Sequence, residues 1–155
     1  MKPKARIMGL VTAVTALTLA GICLTRLSAS SDDQGGARIH ITKECSQYTG
    51  AAGSFCTITS SSLPLIGAGS IVFYDQPAGI PKGLLDSNVV LDAGNGNRAL
   101  GRCTLDLTSG LGRCTFSDGT GDLRGFQARF DVTPPTDGVH WHWDGTYSFV
   151  SDSDR

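Results

Sequence analysis

The chain is 155 residues long and 17 % charged, with 13 Lys and Arg against 14 Asp and Glu, for a formal net charge of −1. Lys2, Lys4, Arg6 and Arg26 all fall before residue 30, where there is no acid, so the rest carries nine basic against fourteen acidic groups, a net −5. That balance excludes nucleic acid as a partner, because nucleic acid rewards clustered Lys and Arg, and the length suffices for one core but not two.

Lys2, Lys4 and Arg6 form a positive head, residues 7–24 an uncharged apolar run, and Ser28, Ala29 and Ser30 a cluster of small residues. This is the three-part order of a secretory signal peptide, placed at residues 1–29. An apolar run of roughly 18 residues is also long enough for an anchor helix, but its many Thr, Ala and Gly residues make it weakly hydrophobic for that role. The expectation is a secreted protein, extracellular or periplasmic, with no membrane association after cleavage. Residues 30–36 are polar and glycine-rich, as in a disordered leader, which leaves residues 37–150 as the folded domain.

From residue 37 onward, short strand-like runs recur about every dozen residues between clusters of Gly, Pro, Asn and Asp. The pattern predicts strands over 37–42, 55–59, 70–75, 88–92, 98–107, 112–117, 123–132 and 140–150. Asn95-Gly96 and Asp118-Gly119 are hairpin signals, since these residue types accept positive φ. No sustained helical period occurs outside the signal segment. Eight strands with short antiparallel links predict an all-β fold, an eight-stranded antiparallel closed barrel without an exposed edge.

Four cysteines lie beyond the signal segment: Cys45, Cys56, Cys103 and Cys114, each neighbouring pair eleven positions apart. Four cysteines allow three connectivities. The spacing favours two local staples, Cys45–Cys56 and Cys103–Cys114, the second across the reversal at Leu107-Thr-Ser-Gly-Leu111. Each is expected to stabilise the fold by about 2–3 kcal/mol. The Cys-x-x-Cys spacing of a zinc site is absent.

Alternation assigns the faces. Phe126, Ala128, Phe130 and Val132 share one side of the seventh strand, against Gln127, Arg129 and Asp131. In the eighth, Trp141, Trp143, Tyr147 and Phe149 stand opposite His140, His142, Asp144 and Thr146.

Ser117-Asp-Gly-Thr-Gly-Asp-Leu-Arg-Gly-Phe-Gln-Ala-Arg129 resembles the Gly-Thr-Gly-x-Phe/Leu-x-x-Ala motif of the allene oxide cyclase and dirigent proteins, over roughly the last forty residues of the chain. The resemblance implies an eight-stranded antiparallel barrel, lipocalin-like in outline, with the motif at a late hairpin. It also implies a homo-oligomer, since both plant families commonly form trimers. Gly119 and Gly121 are expected to take a positive-φ turn and Gly125 to let the strand bend. No catalytic residue of either family carries over to a named position.

Two constellations are candidates for function. Trp141, Trp143, Tyr147 and Phe149, joined by Phe126, Phe130 and by Phe73 or Tyr74, form either a ligand-stacking wall or simply the core. With a pocket there, Arg129, Arg102 or Asp131 at its mouth would fix a carboxylate or phenol. His140-x-His142-x-Asp144 places two imidazoles and a carboxylate on one strand face, where a third ligand such as His40 would complete a zinc or copper site. The plainer reading, a polar outer face, is preferred, so no metal and no cofactor are expected. There is no Gly-x-Ser-x-Gly elbow, no distinguishable acid–base carboxylate pair, and no glycine loop opening a helix. The leading expectation is a non-catalytic binder of a small apolar or aromatic molecule or of a partner surface. An enzyme guiding cyclisation or coupling of a bound substrate is the alternative, and a structural or envelope protein a third.

Overall fold

The protein is described as a computed structural model over residues 36–151. The expected signal peptide and all but the last residue of the expected leader lie outside the described residues.

Eight strands follow in chain order: β1 (Ala37–Glu44), β2 (Phe55–Ser61), β3 (Ile71–Tyr74), β4 (Leu84–Asp92), β5 (Arg98–Asp106), β6 (Gly112–Ser117), β7 (Phe126–Thr133) and β8 (His140–Phe149). Each pairs antiparallel with the next, and β8 pairs with β1, closing the barrel. The other elements among the described residues are two single 3-10 turns, Pro64–Ile66 and Gly121–Leu123. Alternation drives the closure. Along β7, Phe126, Ala128, Phe130 and Val132 are buried, while Gln127, Arg129 and Asp131 are exposed. A strand with one apolar side must bury that side, and eight of them wrapped round a common axis do so without leaving an edge.

Most strand ends depart from the sequence expectation by a residue or more, and three of the departures have a visible cause. β1 continues to Glu44, because its backbone stays paired with β8 up to Glu44 opposite His140. β4 begins at Leu84, paired there with Asp106, well before residue 88. β7 begins at Phe126, because Gly121–Leu123 is wound into a 3-10 turn and Gly125 has a φ of 76°.

The two ends of the barrel differ. The links after β2, β4 and β6 lie at one end, together with the start of β1. Those after β1, β3, β5 and β7 lie at the other. At the first end, Ile66 and Leu123, both fully buried, plug the opening from the two 3-10 turns. The Gly-Thr-Gly segment ties this end together. Thr120 Oγ1 donates to the Gly96 carbonyl (2.8 Å), and Asn97 Oδ1 accepts from the Asp122 amide (2.9 Å). Positive φ occurs at Asp118, Gly121 and Gly125 but not at Gly119. Gly119 is needed for a different reason: a Cβ there would lie 1.7 Å from the Leu123 carbonyl oxygen.

The middle of the barrel is filled by Phe116, Phe130 and Trp143, with ring centroids 5.2 to 6.0 Å apart. Both disulfides lie inside. Cys103 and Cys114 face each other directly across β5 and β6 with Cα atoms 4.1 Å apart, and Cys45–Cys56 (4.3 Å) fastens the base of the link between β1 and β2. Gly145 stands opposite Phe130 in the β7–β8 ladder, where a Cβ would come within 1.8 Å of the Arg129 carbonyl oxygen. Gly145→Ala is therefore expected to force the two backbones apart and to destabilise the barrel by about 1–3 kcal/mol or more, read as a lower urea midpoint. An unchanged midpoint would show that the ladder has slack there.

Candidate functional site

Alternation along β1 turns Ile39, Ile41 and Lys43 to the same side, and all three are buried. Lys43 is thus carried into the barrel by the residues that make β1 a strand. The β1–β2 register shifts between Thr42 and Lys43, so that Thr42 faces Ser60 while Lys43 faces Ile58. On its other side Lys43 lies opposite Trp141 of β8.

Only 4 % of Lys43 is exposed. Its Nζ donates to Tyr74 Oη (2.5 Å) and lies 3.9 Å from Cys56 Sγ, 4.4 Å from the centre of the Trp143 ring and 5.2 Å from that of Tyr74. None of the ion pairs among the described residues involves Lys43; they lie on the outer surface. An ammonium taken out of water without a countercharge costs several kcal/mol, and burial accordingly lowers the Lys43 pKa to about 7. The ring faces of Trp143 and Tyr74 compensate only in part. Burial, reinforced by Tyr48, raises the Tyr74 pKa, so its phenol keeps its proton. It accepts from the ammonium form of Lys43 and donates to the amine form.

Beside Lys43 is a cavity of about 60 Å³, walled by Tyr48, Tyr74, Trp141, Trp143 and the two disulfides, with Leu85, Thr104, Leu105 and Val132 completing it. It sits at the end opposite the Ile66–Leu123 plug. Tyr48, in the link between β1 and β2, packs edge-on to Tyr74 with centroids 5.0 Å apart. Tyr48 Oη and Trp143 Nε1 are buried without a hydrogen-bond partner. A cavity of this size holds a few waters or the head of a small molecule, whereas a pocket that encloses a drug-sized ligand has roughly 300–1,000 Å³.

The structure divides the aromatic residues expected at a binding wall. Trp141 and Trp143 line the cavity. Phe130 packs against Trp143 in the filled middle of the barrel. Phe126 and Tyr147 form a second cluster with Phe149 near the plugged end, with centroids 5.6 to 6.2 Å apart. Arg129 stands on the outer face of β7, between Thr115 and Thr146, away from the cavity. Arg102 and Asp131 also face outward, bound to Asp86 and Arg113.

The three histidines sit on the outer side of the β1–β8 ladder. His40 is opposite Asp144, Thr42 opposite His142, and Glu44 opposite His140. His40 does stack on His142, with ring centroids 5.7 Å apart. Each carboxylate, however, is engaged with a separate ring: Asp144 with His40 Nδ1 and Asp137 with His140 Nδ1, both at 2.6 Å. The His140 and Val139 amides and the His140 ring hold the Asp137 carboxyl well below the usual range. No group of three His, Cys, Asp or Glu among the described residues is arranged to hold a metal ion.

The chain matches no protein-family model, and it matches neither a curated protein nor a solved structure. Its site must therefore be read from its own geometry. Sequence reasoning missed Lys43 and Tyr48. For Lys43 a signal was present, since the alternation of Ile39 and Ile41 continues to position 43. Tyr48 lies in a link of no regular pattern, and its position depends on the Cys45–Cys56 closure.

Proposed function

We propose that this is a secreted, disulfide-stabilised barrel whose unplugged end binds a small apolar or aromatic molecule. The observation that carries the reading is the aromatic cavity at that end, with Lys43 at its base. Two tryptophans and two tyrosines around so small a space offer flat apolar contact to a ring or chain, while one buried amine gives a polar group to orient it. Disulfides inside the barrel fit an oxidising compartment, as the signal-like amino terminus also suggests. The ligand's head enters the cavity, and the rest of it lies against Trp141 and Tyr48.

Titration with phenols, fatty acids and terpenoids, followed by tryptophan emission, tests this. Trp141 and Trp143 are the only tryptophans in the chain, so occupancy is expected to quench or shift the signal. No response from any of the three classes would defeat the reading.

One observation favours the enzyme alternative: the buried Lys43–Tyr74 pair is an amine and a phenol able to exchange a proton. The cavity volume of about 60 Å³ weighs against it, because guiding a cyclisation or coupling requires enclosing most of the substrate.

A further inference from the structure

The polar side chains of the residues around the cavity share one property: each has a proton to give. Lys43 Nζ has N–H donors and a single protein oxygen, Tyr74 Oη, within hydrogen-bond reach. Trp143 Nε1, which can only donate, is buried without an acceptor, and the Tyr48 hydroxyl is buried without a partner of any kind. No carboxylate is among the lining residues, which come from β1 to β8 except β7's charged outer positions and from the Tyr48 link. The titratable groups that face Nζ are Tyr74 from β3 and Tyr48 from the link, both protonated phenols. β2, β5 and β6 contribute only half-cystines and uncharged side chains, and β4, β7 and β8 contribute Leu85, Val132, Trp141 and Trp143. A buried donor without an acceptor costs about 1–3 kcal/mol, and a buried ammonium without a countercharge costs more.

We propose that the head group taken by this cavity is a carboxylate, making the ligand a small apolar or aromatic acid that supplies the countercharge Lys43 lacks. This rests on the binding site described above and names its ligand class. A carboxylate is planar and has two acceptor oxygens. It meets the ammonium through a charge-assisted hydrogen bond and leaves a second oxygen for one of the unsatisfied donors. The small volume suits a head group and not a whole molecule, and the aromatic rim suits the apolar remainder. Pairing with the acid also holds Lys43 in its charged form, so binding draws a proton from solution wherever the free amine is neutral.

The test compares benzoate and hexanoate with benzamide and hexanamide by titration calorimetry. The wild type is expected to bind each acid about tenfold or more tightly than its amide, with affinity for the acid falling as pH rises from 7 to 9 and affinity for the amide flat. At pH 8 the heat for the acid is expected to vary with the ionisation enthalpy of the buffer, reporting proton uptake. In Lys43→Met the preference for the acid disappears. Trp143→Phe removes the N–H together with half of the indole, so it is read as the ratio of acid to amide affinity, which is expected to fall. Equal affinities of acid and amide for the wild type, or an undiminished acid preference in Lys43→Met, overturn the carboxylate while leaving the binding site standing. Failure of all four compounds to bind overturns it together with the site.

Discussion

Lys43→Met is expected to make the barrel more stable at neutral pH, by an amount on the order of a few kcal/mol. The unfolded chain holds the Lys43 proton up to pH 10.5, whereas the folded chain releases it near pH 7. Between these values the unfolded state binds the extra proton, so wild-type stability rises with pH across that window. Below pH 7 both states are charged, and the full penalty of burying the ammonium is present. Tyr74 works in the opposite direction at the upper end. Burial raises its pKa, so above pH 10 the unfolded phenol ionises while the folded one does not, and stability turns down again. Methionine has nearly the length of lysine and no charge. It removes the rise between pH 7 and 10, at the cost of leaving the buried Tyr74 hydroxyl without its Lys43 partner, about 1–3 kcal/mol. Urea midpoints measured from pH 6 to 10 decide the matter. Parallel profiles for wild type and variant would mean that the amine is not desolvated. A protein that carries a group so costly to its own stability invites the explanation that the group serves a bound molecule.

Removing the two disulfides separately is expected to give equal losses of stability but unequal losses of binding. Each closes a loop over the same sequence separation of 11, and for loops of this length the loss is about 3 kcal/mol. The pair Cys103→Ala and Cys114→Ala releases a β5–β6 hairpin that its ladder already holds from Leu100–Ser117 to Leu105–Gly112, so while the protein stays folded the loss of affinity is confined to the two sulfurs that wall the cavity. The pair Cys45→Ala and Cys56→Ala also frees the link that places Tyr48 over the cavity, so affinity falls along with stability. Urea unfolding and ligand titration of both variants under native conditions provide the comparison. Matching binding losses would show that Tyr48 is held by its packing on Tyr74 and not by the closure at Cys45.

Most of the fold is legible in the chain because it rests on local rules. Period-two alternation at Phe126, Ala128, Phe130 and Val132 dictates which side of β7 is buried, and the equal cysteine spacing matches two hairpin cross-links. The start of β4 is less legible, because Leu84 to Ser87 become a strand only through pairing with Cys103 to Asp106, a contact that local sequence does not reveal. The site is harder still. Aromatic side chains fill a core or line a ligand site with the same sequence signature, and only the packed barrel assigns Trp141 and Trp143 to the cavity and Phe126 and Phe130 to the filling. Lys43 was hidden by the ordinary expectation that lysine ends a buried pattern. The alternation overrides that expectation, because a side chain in a paired strand follows the pleat whatever its charge.

β1 begins and β8 finishes beside the Ile66–Leu123 plug, where the Val150 amide bonds to the Gly125 carbonyl and Gly36 abuts Tyr147. Both ends of the described chain thus emerge on the face remote from Lys43. Attaching the described domain to a sensor chip or a carrier at residue 36 or residue 151 would leave the mouth on the side facing bulk solution.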